Sequence, residues 1–210
     1  MDGVIVDSEP LHKKAYYKMF QDVNIVVSSK IFASFTGQAT LKICQILCND
    51  FNLRQAPKEL VALKRKHFKY IFENDTDFCL IEGVLNLIID YNKNGLKLVL
   101  ASSASMETIN KIFTRFQLDQ YFIAKLSGAD LKASKPHPEI FIKAAKASKF
   151  QKEECLVIED STNGIEAAVN AGIYCVGFDS FHSKNQDYSK ADLVVKKLSQ
   201  ISYKKIKSLV

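Results

Sequence analysis

The sequence predicts an α/β fold, a mostly parallel sheet with a block of helices inserted near its start. After about residue 80, short apolar runs alternate with segments of helical period, the pattern of βαβ units. Between residue 9 and about residue 78 no strand pattern occurs, and residues 11–20, 41–53 and 58–72 read as helices. The expected division is a core of residues 1–10 and 79–210 and a helical subdomain of residues 11–78.

Within the core each element has a local cause. Asn94-Gly95 supplies a turn, and residues 96–102 (Leu-Lys-Leu-Val-Leu-Ala-Ser) follow as a buried strand. Ile109, Ile112, Phe113 and Phe116 recur at helical spacing over residues 106–116. Pro138 opens a helix over residues 139–150, where its fixed φ suits the first turn. Residues 155–158 (Cys-Leu-Val-Ile) form a short apolar strand. Residues 164–171 form a helix stopped by Gly172. Residues 173–178 and 192–195 complete the strands, and Lys204, Lys205 and Lys207 mark the wet side of a C-terminal helix.

Composition removes several classes of function. The 210 residues are 47% hydrophobic and 25% charged, enough apolar material for a proper core. The net charge of +6 is scattered, which fits a solvated surface with mild attraction for anions. No basic face interleaved with aromatics occurs, so nucleic acid is not an expected partner. Walker-type and dinucleotide-type glycine loops are absent. There is no signal peptide and no apolar run of membrane length. The five cysteines (Cys44, Cys48, Cys79, Cys155, Cys175) are odd in number and contain no Cys-x-x-Cys. Cys44 and Cys48 share a helix face, but nothing completes a zinc site. Free thiols in a reducing cytoplasm are the reading, and the sequon Asn74-Asp75-Thr76 is discounted for the same reason. A monomer is expected.

Four short segments carry the chemistry, each where a strand should end: Asp2-Gly3 with Asp7-Ser8, Ser102-Ser103, Lys135-Pro136, and Glu159-Asp160. Open parallel sheets bind ligands at that rim. Alone, each has an ordinary explanation. Asp-Gly is a turn, Ser102 a cap, Lys135 a solvated loop lysine, and Asp160 or Ser161 the cap of the helix near Gly164. Together they are complementary. Carboxylates and a main-chain carbonyl suit Mg²⁺, with phosphate and water completing its octahedron. A hydroxyl and an ammonium hold the remaining phosphate oxygens. Asp2 can protonate a leaving alkoxide and then deprotonate water. The set still needs an in-line carboxylate nucleophile.

These motifs resemble those of the haloacid-dehalogenase-like phosphatases. Met-Asp-Gly-Val-Ile-Val-Asp-Ser at residues 1–8 is similar to the family's first motif, Asp-x-Asp-Gly-x-x-x-Asp-Ser. Leu100-Ala101-Ser102, Lys135-Pro136-His137-Pro138 and Val157-Ile158-Glu159-Asp160-Ser161-x-x-Gly164 resemble the second, third and fourth. The resemblance implies a Rossmann-like core with residues 11–78 as a cap that closes over substrate. It implies Asp2, Ser102 and Lys135 as catalytic groups, Asp2, Glu159 and Asp160 at Mg²⁺, and Ser103, His12 and Gly37 near the substrate. The branch it most resembles holds β-phosphoglucomutases and small sugar-phosphate phosphatases. His12 matches a histidine near the cap hinge of the mutases, and Ser34-Phe35-Thr36-Gly37 a cap loop that faces the active site.

Two departures shape the expectation. The mutases carry an arginine three residues after the loop glycine, where this chain has Thr40. Loss of that bidentate clamp favours a phosphatase. Lys64, Arg65 or Lys69 could supply the charge instead. Second, Met1 stands between the two motif aspartates. The nucleophile, and the apolar strand leading to it, would lie upstream of Met1, so the chain as given is expected to turn over little. Without that central strand, two neighbours should be left unpaired beside a slot. The leading function is Mg²⁺-dependent hydrolysis of a small sugar phosphate. A β-phosphoglucomutase and a catalytically dead phosphate-binding protein remain open. A dehalogenase would leave Asp2, Glu159 and Asp160 unexplained.

Overall fold

A computed structural model describes residues 1–35, 40–181, 183 and 185–209. The chain forms two compact units, Ser8–Phe78 and Met1–Asp7 with Cys79–Val210. The first border thus falls three residues before the one read from sequence.

The unit Ser8–Phe78 is helical: α1 (Glu9–Asp22), α2 (Ser29–Ala33), α3 (Thr40–Asp50) and α4 (Pro57–Asn74). Leu11, Ala15, Tyr16, Met19 and Phe20 form one buried stripe on α1. Helix α4 packs on α1 and α3. Pro57 opens it, and the Glu59 carboxylate accepts the Ala56 N–H at 2.7 Å, satisfying a donor the first turn would otherwise strand. The cores of α1, α3 and α4 merge around Met19, Phe20, Leu47 and Leu60. Gly37 and Thr36 lie outside the described residues.

The second unit alternates strand and helix: α5 (Val84–Lys93), β1 (Leu98–Ser102), α6 (Met106–Arg115), β2 (Phe122–Ser127), α7 (Glu139–Ser148), β3 (Leu156–Glu159), α8 (Thr162–Ala171), β4 (Tyr174–Phe178), β5 (Leu193–Val195) and α9 (Tyr203–Ile206). Helix α7 ends two residues before residue 150, because Lys149 turns left-handed at φ 66°. Helix α5 and strand β2 are additions to the sequence reading. All strand pairs are parallel, in two sheets ordered β1-β2 and β3-β4-β5. Helix α7 rests on β1, β2 and α8, and α8 rests on β3 and β4. Ala101 of β1 and Val157 of β3 enter one core with Ile140, Phe141 and Ile165.

The parallel sheet is interrupted. Among the described residues, β1 pairs only with β2, and β3 only with β4. A cavity of about 390 Å³ lies between, lined by Leu98 and Leu100 of β1, Leu156 and Ile158 of β3, and Val4 and Ile5. Leu98, Val99, Leu156, Val157 and Ile158 are consequently only half-buried, whereas parallel strands are ordinarily covered on both faces. All five cysteines are free, and among the described residues no helix is long and apolar enough to cross a membrane.

Candidate active site

Strand β3 delivers its last residue, Glu159, into a buried position, and α8 starts three residues later. The Ser161 hydroxyl caps that helix by accepting the Gly164 N–H at 3.2 Å. Both Glu159 oxygens are engaged. Oε1 accepts from the Lys135 ammonium. Oε2 accepts from the Asp160 N–H (3.1 Å), the Ser161 N–H (3.3 Å) and the Ser161 hydroxyl (3.0 Å). Burial opposes ionisation of Glu159, but Lys135 outweighs it and holds the carboxyl below its usual range. Lys135 is pinned further by Phe141, whose ring centroid lies 4.8 Å from the ammonium. Gly164 makes the fit possible: a Cβ there would stand 2.1 Å from the Glu159 carboxyl.

Asp160 turns toward the start of the chain. The Met1 carbonyl accepts the N–H groups of Val4, Ile5 and Val6 at 3.3, 2.7 and 3.1 Å, curling these residues into a tight turn. Gly3 sits in it at φ 72°, and a Cβ there would fall 1.8 Å from Asp160 Oδ2. The Asp160 carboxylate therefore rests against bare backbone beside Asp2. Burial, then the Glu159 charge, push Asp160 from the ordinary 3.8 up to about 6. A raised acid value means that the metal-free fold carries a penalty above pH 6 that is absent below the unfolded value. Asp160→Asn is therefore expected to stabilise the metal-free chain by about 2 kcal/mol at pH 7.5. The gain should vanish below about pH 4, where both chains are neutral at this position. Urea unfolding with a chelator at the two pH values measures it, and no gain at pH 7.5 would refute the assignment of strained charge.

Ser102 ends β1 and is buried, its Oγ accepting the Ala104 N–H at 3.2 Å. Ser103 follows, exposed, in the loop before α6. Ser127, which no motif flagged, ends β2 opposite Ser102 and donates to the Ala104 carbonyl at 2.9 Å. These serines hold the β1 rim loop. The structure thus sets Gly3, the neighbour of Asp2, against Asp160, binds Lys135 to Glu159, and places Ser102 and Ser103 at a strand end of the same unit.

His12 belongs to the helical unit. Its Nδ1 lies 2.8 Å from the Lys64 ammonium and accepts from it. The ring stacks on Phe68 at 4.4 Å. Lys64 is only 5% exposed, with its ammonium 5.0 and 5.2 Å from the centroids of Tyr16 and Phe68. Arg65 and Lys69 are exposed. Of the three cap cations considered from sequence, Lys64 alone is built into the interior.

The donor set suits a magnesium ion of modest protein ligation. Among the described residues, no three Asp, Glu, His or Cys side chains form a ready-made cation cage. Mg²⁺ does not need one, because it commonly takes one or two carboxylates and keeps water and phosphate. Burial, then the Glu159 charge, disfavour ionised Asp160, and a cation beside it would oppose both. Both oxygens of Glu159, which the sequence reading placed at the metal, are engaged by Lys135 and by the Asp160 and Ser161 donors.

The family model for haloacid dehalogenase-like hydrolases matches residues 1–178. The chain belongs to that family. It is 27% identical over 174 residues to the 6-phosphogluconate phosphatase of Escherichia coli, covering 82% of this chain and 76% of that one. It is 27% identical over 207 residues to the β-phosphoglucomutase of Bacillus subtilis, covering 96% and 89%. The crystal structure of a β-phosphoglucomutase from Clostridium difficile superposes with a TM-score of 0.79 at 26% identity, covering 99% of this chain and 92% of that one. The α/β architecture with parallel strands is therefore that of the family's Rossmann-like members.

Proposed function

We propose that this chain supplies the acid/base, phosphate-binding and magnesium-binding parts of a phosphomonoester hydrolase acting on a small sugar phosphate in the cytoplasm. The observation that carries this reading is the junction of Lys135, Glu159 and Asp160 with the Gly3 backbone beside Asp2. Its family and its phosphatase relatives support it. Lys135 and the Ser102 hydroxyl hold phosphate oxygens, with Ser103 beside them. Asp2 donates a proton to the leaving alkoxide and later takes one from water. Asp160 and the Asp2 main-chain carbonyl hold Mg²⁺, with Glu159 fixing Lys135 and the Asp160 backbone. When bound, Mg²⁺ neutralises charge on the transferring phosphoryl group. The nucleophile of this scheme is a carboxylate two positions ahead of Asp2.

The test uses a chain extended ahead of Met1 by an apolar strand ending in Phe-Asp. Phosphate release from a panel of sugar phosphates should appear with Mg²⁺ and fall about 100-fold or more in the Asp2→Asn version. Full activity in that version would remove Asp2 from its role.

A second reading, a β-phosphoglucomutase, is favoured by Lys64, which is buried and hydrogen-bonded to half-buried His12, a lysine of the helical unit that could stand in for the arginine replaced by Thr40. Formation of glucose 6-phosphate from β-glucose 1-phosphate, dependent on glucose 1,6-bisphosphate, would select it. Binding of Mg²⁺ and phosphate by the extended chain without turnover would select a catalytically dead protein.

A further inference from the structure

The loop after β4 reaches the site through residues that none of the four motifs contains. Ser183 Oγ donates to Asp160 Oδ2 at 2.5 Å. The Tyr188 hydroxyl donates to the Asp160 main-chain oxygen at 3.1 Å and lies 3.4 Å from that of Ser183. Farther along, Gln186 Oε1 accepts from the Thr162 N–H (2.9 Å) and hydroxyl (3.2 Å), and the Asp187 N–H donates to Thr162 Oγ1 at 2.8 Å. One loop therefore grips the residues on both sides of Ser161, the cap of α8.

The consequence concerns the Asp160 carboxylate. A side chain of this kind rotates about two bonds, and a cation site needs one orientation. Gly3 closes one side of Asp160 Oδ2, and a Cβ on Gly3 would also stand only 3.0 Å from Ser183 Oγ. Gly3, Ser183 and Asp160 thus meet at a single oxygen. Tyr188 fixes the backbone that carries it, and the Tyr188 hydroxyl is pushed up to about 12 by burial and by Asp160, so it stays a donor at any physiological pH. We infer that Ser183 and Tyr188 are positioning residues that hold Asp160 in the orientation which binds the divalent cation. This inference rests on the metal site of the proposed function.

Magnesium affinity of the chain itself tests it, with no turnover required. Calorimetric titration of Mg²⁺ at pH 7.5 should give a dissociation constant about 10-fold weaker for Ser183→Ala than for the wild type, in the range usual for residues that orient metal ligands. Ser183→Thr, which keeps the hydroxyl, should restore most of the loss, and Tyr188→Phe should fall between. Affinity for inorganic phosphate without Mg²⁺ should be unchanged in all three, whereas general loosening of the fold would weaken both ligands. Equal Mg²⁺ affinity in Ser183→Ala and wild type, or a parallel loss of phosphate affinity, overturns the inference alone. Failure of the wild type to bind Mg²⁺ overturns the metal site beneath it as well.

Discussion

Joining an apolar six-residue strand ahead of Met1 is expected to raise the thermal unfolding midpoint by on the order of 10 °C. The reason is the interrupted sheet. β1 and β3 each show one unpaired edge to a shared cavity, and five of their apolar residues are only half-covered. A strand laid parallel to both would satisfy two rows of backbone donors and acceptors at once. It would also bury its own apolar side chains, worth about 1.5–3 kcal/mol each. Ordering it costs about 1–2 kcal/mol per residue in backbone entropy, so the net is a few kcal/mol. For a chain of this length each kcal/mol moves the midpoint by about 2–4 °C. A polar strand of equal length is the control, since it offers the same hydrogen bonds but cannot fill an apolar slot. Calorimetric melting of the three chains decides the matter. Equal midpoints for all three would mean that the cavity between β1 and β3 does not take a strand.

What could be read from sequence divides along physical lines. The end of β3 was legible because Leu-Val-Ile followed by two carboxylates is costly anywhere except a strand end with partners at hand. The start of α7 was legible because Pro138 fixes a first-turn geometry. Helix α5 was passed over although its signal is present, since Val84, Leu87, Ile88 and Tyr91 recur at helical spacing and are buried. Strand β2 gave no such signal. Ile123 is 51% exposed and Lys125 turns to pair with Asp119, so the run Phe-Ile-Ala-Lys-Leu-Ser carries neither clean alternation nor continuous apolarity. The engagement of Asp160 by Ser183 and Tyr188 was hidden for another reason. Those residues lie 23 and 28 positions away in a loop without periodicity, and only folding brings them to the carboxylate. The engagement of Glu159 by Lys135 was hidden for the same reason, because the two lie 24 residues apart.

Lys135 is where a single substitution should cost most. Its ammonium faces a carboxylate that is 7% exposed, and Lys135→Met would leave that charge buried without its partner. Removing one member of a buried pair typically costs about 3–5 kcal/mol. The pH dependence fixes the cause. In the wild type Glu159 lies below its usual range, so the stability it contributes is present above the unfolded carboxylate value and disappears as pH falls through the depressed one. In Lys135→Met the lowering influence of Lys135 is gone, while burial, the largest influence, still drives the carboxyl upward. The defect should then be largest at pH 7.5 and shrink on acidification as Glu159 takes up a proton. Lys135→Met combined with Glu159→Gln removes the charge and should recover most of the loss at neutral pH. Urea unfolding of the wild type, the single variant and the double variant at pH 7.5 and pH 5 measures all three expectations. A pH-independent loss that Glu159→Gln fails to relieve would show that Lys135 stabilises the core through its packing on Phe141, and the charge argument for the site would fall with it.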